Sequence, residues 1–286
     1  MIDRNRRVVF VGCARNCRPH IRGVLKNIEQ FAGNFREAAY VFVENDSADG
    51  TSPVLNRWLS TRPLATLIQL DGLTAKLPSR TARIAFARNA YLDHIGATAL
   101  RDFDYLVAID FDDVNAEPIS PAGFRDAIEL LERDRSYVAA FACSDPVYYD
   151  VWALRHSEWC PRDVWDEVRQ NRELNESSAI QLYVRSRQIS IPADSPPIEV
   201  LSAFGGIGIY RLPTALAARY EGLTAFGAEC CEHVAFNSTV GKGGKLVIMP
   251  SLRNRAPQEH LPLTLSTFPS RAMGLIRKRL MNNILS

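Results

Sequence analysis

Residues 108–113 read AIDFDD, and the apolar run DYLVAI leads into them. In a strand, residues i and i+2 point to the same side. Asp110 and Asp112 therefore project together, with Phe111 opposite and Asp113 following. At the carboxyl end of a parallel strand they would stand over the crevice where open α/β sheets bind ligands. Oxygens clustered there suit Mg²⁺ or Mn²⁺, which is held by one or two carboxylates plus phosphate oxygens. Read alone, the stretch equally suits a solvated acidic turn.

The elements around it decide between these readings. RRVVFVGCARN (6–16) is a β-branched run ending in a polar loop and predicts a buried strand. HIRGVLKNIEQFAG (20–33) has Ile21, Val24, Leu25, Ile28 and Phe31 at helical spacing and stops at a glycine. A strand is expected to begin at residue 38, a helix over 51–62 with Ser52 as cap and Pro53 at its first position, a strand over 65–72, a helix over 80–96 and a strand over 103–113. Strands alternating with helices imply a parallel sheet covered on both faces. Beyond about residue 115 the order loosens. A helix over 123–134 and strands over 137–143, 145–155, 199–211 and 245–250 are expected, with a helix starting in 228–237 and a mobile loop within 159–198. The expected fold class is one α/β domain spanning 1–286.

With 286 residues, 47% apolar and 23% charged, the chain has the balance of a soluble globular protein. A net charge of +2 lacks the concentrated positive field that nucleic-acid binding requires. No apolar run reaches a membrane span and no leader is evident, so a cytoplasmic location is expected. The six scattered cysteines, with no zinc spacing, are expected to be reduced thiols.

Two further stretches carry chemistry. In VENDSADGT (43–51), Glu44, Asn45 and Asp46 offer acceptors at a loop mouth, suited to ribose hydroxyls and a base edge; an Asx turn closed by Gly50 is the alternative. In RTARIAFARNAYL (80–92), Ile84, Ala87, Tyr91 and Leu92 form the buried stripe. Arg80, Arg83 and Arg88 supply forks for diphosphate oxygens, or else line a solvated helix face.

The ordering of ENDSADGT, ARN (87–89) and DFDD resembles the nucleotide-sugar half of GT-A glycosyltransferases, over roughly residues 7–250. With YYDVWALR (148–155), the wording is most similar to the fungal capsule α-1,3-mannosyltransferase-like family. The resemblance implies a Rossmann-like GT-A fold with a mixed central sheet, in which 1–115 binds the nucleotide sugar and 116–286 the acceptor. It implies transfer of a hexose, mannose from GDP-mannose in that family, to a glycan or lipid-linked glycan hydroxyl, assisted by Mn²⁺ or Mg²⁺. Carried over residue by residue, the nucleotide would meet Ala14, Arg15, Asn16, Glu44, Asn45, Asp46, Arg83, Arg88, Asn89 and Asp110. Asn45 departs from the acid usual in the larger family. Metal ligands would be Asp112, Asp113 and His233. Tyr149, Asp150, Trp152, Arg155, Gly205 and Gly206 would face donor or acceptor sugar. GAECCEHVAFN (227–237) resembles an acidic catalytic site in which His233 replaces an acid; Glu229 or Glu232 would be catalytic, three apart on one helical face.

Two other classes compete. A sugar-1-phosphate nucleotidyltransferase would carry a GGxGTRL-like loop after the first strand, where VGCARNCRP stands. A non-catalytic nucleotide-sugar sensor would need no downstream acid. The C-terminal stretch 268–286 is basic, with Met273, Ile276, Leu280 and Ile284 at helical spacing, a pattern able to pack on the domain or to lie on an anionic membrane surface.

Overall fold

The early apolar runs become β1 (Arg7–Ala14), β2 (Glu37–Glu44), β3 (Ala65–Gln69) and β4 (Tyr105–Ile109). Between them lie α1 (Ile21–Ala32), α2 (Thr51–Leu59), the single turn α3 (Leu73–Lys76) and α4 (Arg80–Ala97). A computed structural model describes residues 5–261. Beyond β4 come α5 (Pro121–Arg133), β5 (Tyr137–Asp145), α6 (Val164–Gln170), α7 (Glu176–Tyr183) and β6 (Ile198–Val200). They are followed by β7 (Ile207–Arg211), α8 (Leu212–Leu216), α9 (Glu232–Val240) and β8 (Lys245–Arg255). The strands form one eight-stranded sheet in the order β3-β2-β1-β4-β7-β5-β8-β6. It is parallel except where β7 lies antiparallel between β4 and β5 and where β6 edges β8.

Side-chain parity along β4 sorts the core. Tyr105, Val107 and Ile109 pack with α1, α2 and α5 on one face. Leu106 and Ala108 pack with α4, α8 and α9 on the other. Continued past the strand, the same alternation sends Phe111 to the first face, edge-on against Phe42 at 4.9 Å. Asp110 and Asp112 are thereby turned toward the α4 side. Helix α4 starts where Ser79 accepts a hydrogen bond from the Ala82 amide, an N-cap that a serine supplies.

Several expectations are corrected. Helix α2 starts at Thr51, not after a Ser52 cap, because Asp49 Oδ1 already accepts from the Thr51 amide at 3.0 Å. The aromatic stretch 145–155 is a looped turn after β5; its Tyr148 amide bonds to the Ile189 carbonyl rather than to a neighbouring strand. The polar segment 159–198 contains α6 and α7, capped by Asp163 and Asn175. The run 199–211 divides into β6 and β7, since Gly205 and Gly206 take φ of +63° and +87°. All six cysteines are free. Among the described residues no helix is long and apolar enough to cross a membrane. The amphipathic pattern of 268–286 lies outside the described residues.

Gly12 lets the site form. A Cβ there would stand 2.3 Å from Phe111 Cε2 and 2.5 Å from the Ile109 carbonyl oxygen. Gly12→Ala should force Phe111 off its seat, at about 1–3 kcal/mol for overpacking. Urea unfolding checks this; an unchanged midpoint would show that Phe111 has another place to go.

Candidate functional site

The carboxyl ends of β1, β2, β4 and β5 open onto a cleft of roughly 1020 Å³. Its floor is Ala14, Arg15 and Asn16 after β1, Asn45 after β2, and Asp110 and Asp112 after β4. Helix α4 contributes Arg80, Arg83, Ile84 and Arg88; the loop after β5 contributes Tyr149, Asp150 and Trp152; the start of α9 contributes Glu232 and His233, with Glu229 just before it. The remaining wall is Trp165 and Arg169 of α6, Ile180 of α7, and Val184, Arg185 and Gln188 beyond it. Sequence reasoning missed that wall because its polar helices carry only their caps as a local signal.

Arg88 lies at the centre. Its side chain is 5% exposed; Nη2 donates to Asp110 Oδ1 at 2.9 Å and Nε to Glu232 Oε1 at 3.1 Å. Burial works against its charge, but the two carboxylates outweigh that and hold it protonated. Glu232 is desolvated too, which raises its carboxyl above the ordinary range against the pull of Arg88. Arg88 Nη1 is buried without a hydrogen-bond partner. Its placement differs from the expected one: the guanidinium is a buried tie between the end of β4 and the start of α9.

His233 lies flat on Phe204, ring centroids 3.7 Å apart, with both ring nitrogens buried and without hydrogen-bond partners. Desolvation, and then Arg88, push its pKa well below the usual value, so it is neutral. Asp112 opens into the cleft and accepts only from the Val114 amide at 3.3 Å. Desolvation, then the charges of Asp110 and Asp113, push its carboxyl upward; open solvent contact moderates this. Among the described residues no three of His, Cys, Asp or Glu converge as a metal cage. The expected trio of Asp112, Asp113 and His233 is thus not assembled. Asp113 begins the 3-10 turn beyond the cleft. The Arg88 charge that depresses His233 would repel a cation placed there. Asp112 with diphosphate oxygens remains a fitting pair for Mg²⁺ or Mn²⁺, which is commonly held that way.

Several named residues hold loops rather than face the cleft. Glu44 Oε1 accepts from the Ser47 amide at 2.9 Å. Asp46, at φ +52°, accepts from the Gly72 and Thr74 amides, and these bonds lower its pKa to about 2. Asn89 brackets the backbone of Tyr220 with two hydrogen bonds, at 2.9 and 3.0 Å. Arg155 pairs with Asp163 at 2.8 Å. Gly205 and Gly206 lie behind the cleft, where their turn is held by Asp150 Oδ2, which accepts from the Gly205 amide at 3.0 Å. Burial raises the Asp150 carboxyl to about 6. Glu229 precedes α9 and does not share a face with Glu232. Its Oε1 accepts from Ser79 Oγ at 2.7 Å and the Arg80 amide at 2.9 Å, which lowers its pKa. Asn45 alone of 44–46 reaches the cleft, and its side chain helps to lower the Asp46 pKa.

No protein-family model matches the chain, and no curated protein matches it in sequence. Solved structures do match in fold. A mannosyltransferase from Pyrobaculum calidifontis, in complex with GDP-Man and Mn²⁺, superimposes with a TM-score of 0.51 at 17% identity, over 89% of this chain and 58% of that one. S. aureus TarS in complex with UDP-GlcNAc gives 0.51 at 12% identity, over 95% and 64%. GalNAc-T7 with UDP, GalNAc and Mn²⁺ gives 0.51 at 12% identity, over 91% and 45%. The chain spans about half to two thirds of the length of these structures. The likeness establishes the GT-A fold.

Arg88→Met should strand two carboxylates, one of them deeply buried, at about 3–5 kcal/mol. Glu232 loses the larger of the two charges lowering its pKa, Arg80 being the other, so its folded-state value rises further above the unfolded value. Ionisation above that value then costs stability, and protonation below it restores some. The deficit in urea unfolding should be larger at pH 8 than at pH 5; equal deficits would remove Glu232 from the explanation.

Proposed function

We propose that this chain is a glycosyltransferase, moving a hexose from a nucleoside diphosphate sugar to an acceptor hydroxyl. One observation carries the reading. Arg88 Nη1 and His233 Nδ1 are buried polar atoms without a hydrogen-bond partner, His233 Nε2 has only Glu232 Oε1 at 3.6 Å, and both side chains line the cleft at the carboxyl edge of the sheet. Buried groups of this kind are normally satisfied, and a polyhydroxylated diphosphate ligand supplies the missing oxygens. The resemblance of the acidic motifs and the GDP-Man-bound neighbour both favour mannose as the sugar.

Residues 1–115 form the nucleotide half and 116–286 the acceptor half. Asn45 and the Ala14–Asn16 loop grip base and ribose, and Arg80 and Arg83 face the diphosphate. Asp112 would hold a divalent metal together with diphosphate oxygens. When bound, that metal supplies Lewis-acid stabilisation of the departing diphosphate. Glu232 is the carboxylate placed to take the proton of the acceptor hydroxyl as the new bond forms. Arg88 keeps it ionised and aimed, whereas Glu229 is engaged with Ser79 and Arg80. A base in this role goes with inversion at the anomeric carbon. The acceptor is a glycan or lipid-linked glycan, and the basic C-terminal stretch would bring the protein to an anionic membrane surface.

A panel of nucleotide sugars with Mn²⁺ or Mg²⁺, read by release of free nucleoside diphosphate, tests the reading. No release from any donor, with and without glycan acceptors, would leave a binding module. Asp112→Asn should lower turnover by roughly 10²–10³-fold, the scale of removing one electrostatic stabiliser, while metal-free nucleotide affinity stays unchanged. Undiminished wild-type turnover in excess chelator would rule out the metal.

A further inference from the structure

The cleft wall contributed by the chain between β5 and β6 has a charge that the donor does not explain. Arg185 follows α7, lines the cleft and is half-buried. Its Nη2 donates to the Glu259 carbonyl at 3.0 Å, and its Nη1 donates to the His260 carbonyl and to Gln188 Oε1. All of these are neutral oxygens. Two other arginines of the cleft lean on acids, Arg88 on Asp110 and Glu232 and Arg169 on Asp166, whereas Arg83 on the α4 side, where the diphosphate is placed, meets the Leu77 and Pro78 carbonyls. Burial lowers the Arg185 pKa, and among the described residues no carboxylate acts in the other direction. A guanidinium drawn out of water without a counter-charge is a standing cost. Beside it, Tyr149 stacks on the His260 ring at 5.6 Å, while Trp165, Ile180 and Val184 supply the apolar and aromatic surface against which a pyranose ring packs. The chain that builds this wall leaves the sheet from β5, separated from β2 by β1, β4 and β7, and it belongs to the half assigned above to the acceptor.

We propose that this wall is an acceptor subsite for an acidic sugar, with Arg185 binding the carboxylate or phosphate group that the sugar carries. The proposal rests on the glycosyltransferase reading and names the acceptor class for that site. Arginine suits the task because its fork matches either anion in a bidentate pair. A purely structural strut, pinning the 258–260 turn, would need only the donors that already meet the two carbonyls.

The test uses the full chain loaded with the nucleoside diphosphate found in the donor panel, applied to arrayed oligosaccharides of matched backbone in neutral, uronate and phosphorylated forms. The wild type should retain an acidic form over its neutral counterpart, and the uronate and phosphate arms tell the two anions apart. Arg185→Gln should weaken that retention about tenfold or more, and Arg185→Lys should recover part of it. Nucleotide affinity and melting temperature should be unchanged in both. Equal retention of neutral and acidic glycans by the wild type overturns the proposal, as does unchanged acidic retention by Arg185→Gln. If Arg185→Gln does not fold, the wild type's discrimination and the Arg185→Lys variant decide it. Loss of nucleotide binding by the wild type would strike the reaction itself. Nucleotide binding without an acidic preference strikes only the subsite.

Discussion

A single buried cation holds this site together. Arg88 brings α4, the end of β4 and the start of α9 to one point by bonding Asp110 and Glu232 with the same guanidinium. Without it, two carboxylates would share a desolvated corner, and like charges there repel strongly. Its remaining nitrogen Nη1 is buried without a hydrogen-bond partner, and the neutral His233 lies beside the same Glu232 oxygen at 3.6 Å. The charge that stabilises the corner also fixes its chemistry. It pulls the Glu232 carboxyl back toward ionisation against burial and holds the His233 ring neutral.

Under the cleft lies a second, uncharged network. Asn254 Nδ2 donates to Asn115 Oδ1 at 3.0 Å and to the Gly205 carbonyl at 2.6 Å. Asn115 Nδ2 donates to the carbonyls of Asp110 and Gly206 at 3.1 and 2.9 Å. The left-handed turn at 205–206 is thereby tied to the strand end that carries the acids. Only Asn254 Oδ1 is left without a hydrogen-bond partner in it, and a polar network of this kind holds a loop in one arrangement where an apolar contact would allow several.

The first half of the fold was legible because its signals are local. Strand parity around Phe111 gave the side on which Asp110 and Asp112 project, and helical spacing gave α1 and α4. The roles of charged residues were not legible, because a side chain's identity says nothing about which distant group neutralises it. Arg88 meets Glu232 at a separation of 144 residues, and Asn89 meets Tyr220 at 131. Glu44 and Asp46 read as ligand acceptors, yet each is used by a backbone amide that only the folded loop presents. Glu229 was placed on a helical face because the helix start was read too early; Cys231 as its N-cap offers no side-chain bond to mark the boundary. The two helices of the far wall lay in polar sequence where periodicity is weak.

The antiparallel insertion of β7 has a consequence for the order of assembly. During synthesis from the N-terminus, β1, β2, β3 and β4 can pair by short parallel crossovers as soon as residue 109 is free. β7 pairs Tyr105 with Arg211 and Ile109 with Ile207, a closure across nearly a hundred residues, and such non-local pairings form slowly. Until then β4 is an open edge, and Arg88 has Asp110 but not Glu232. The nascent nucleotide half therefore spends its early life with a bare strand edge and an incomplete charge pair. It is the stage at which this chain is most exposed to edge-to-edge association with its own copies.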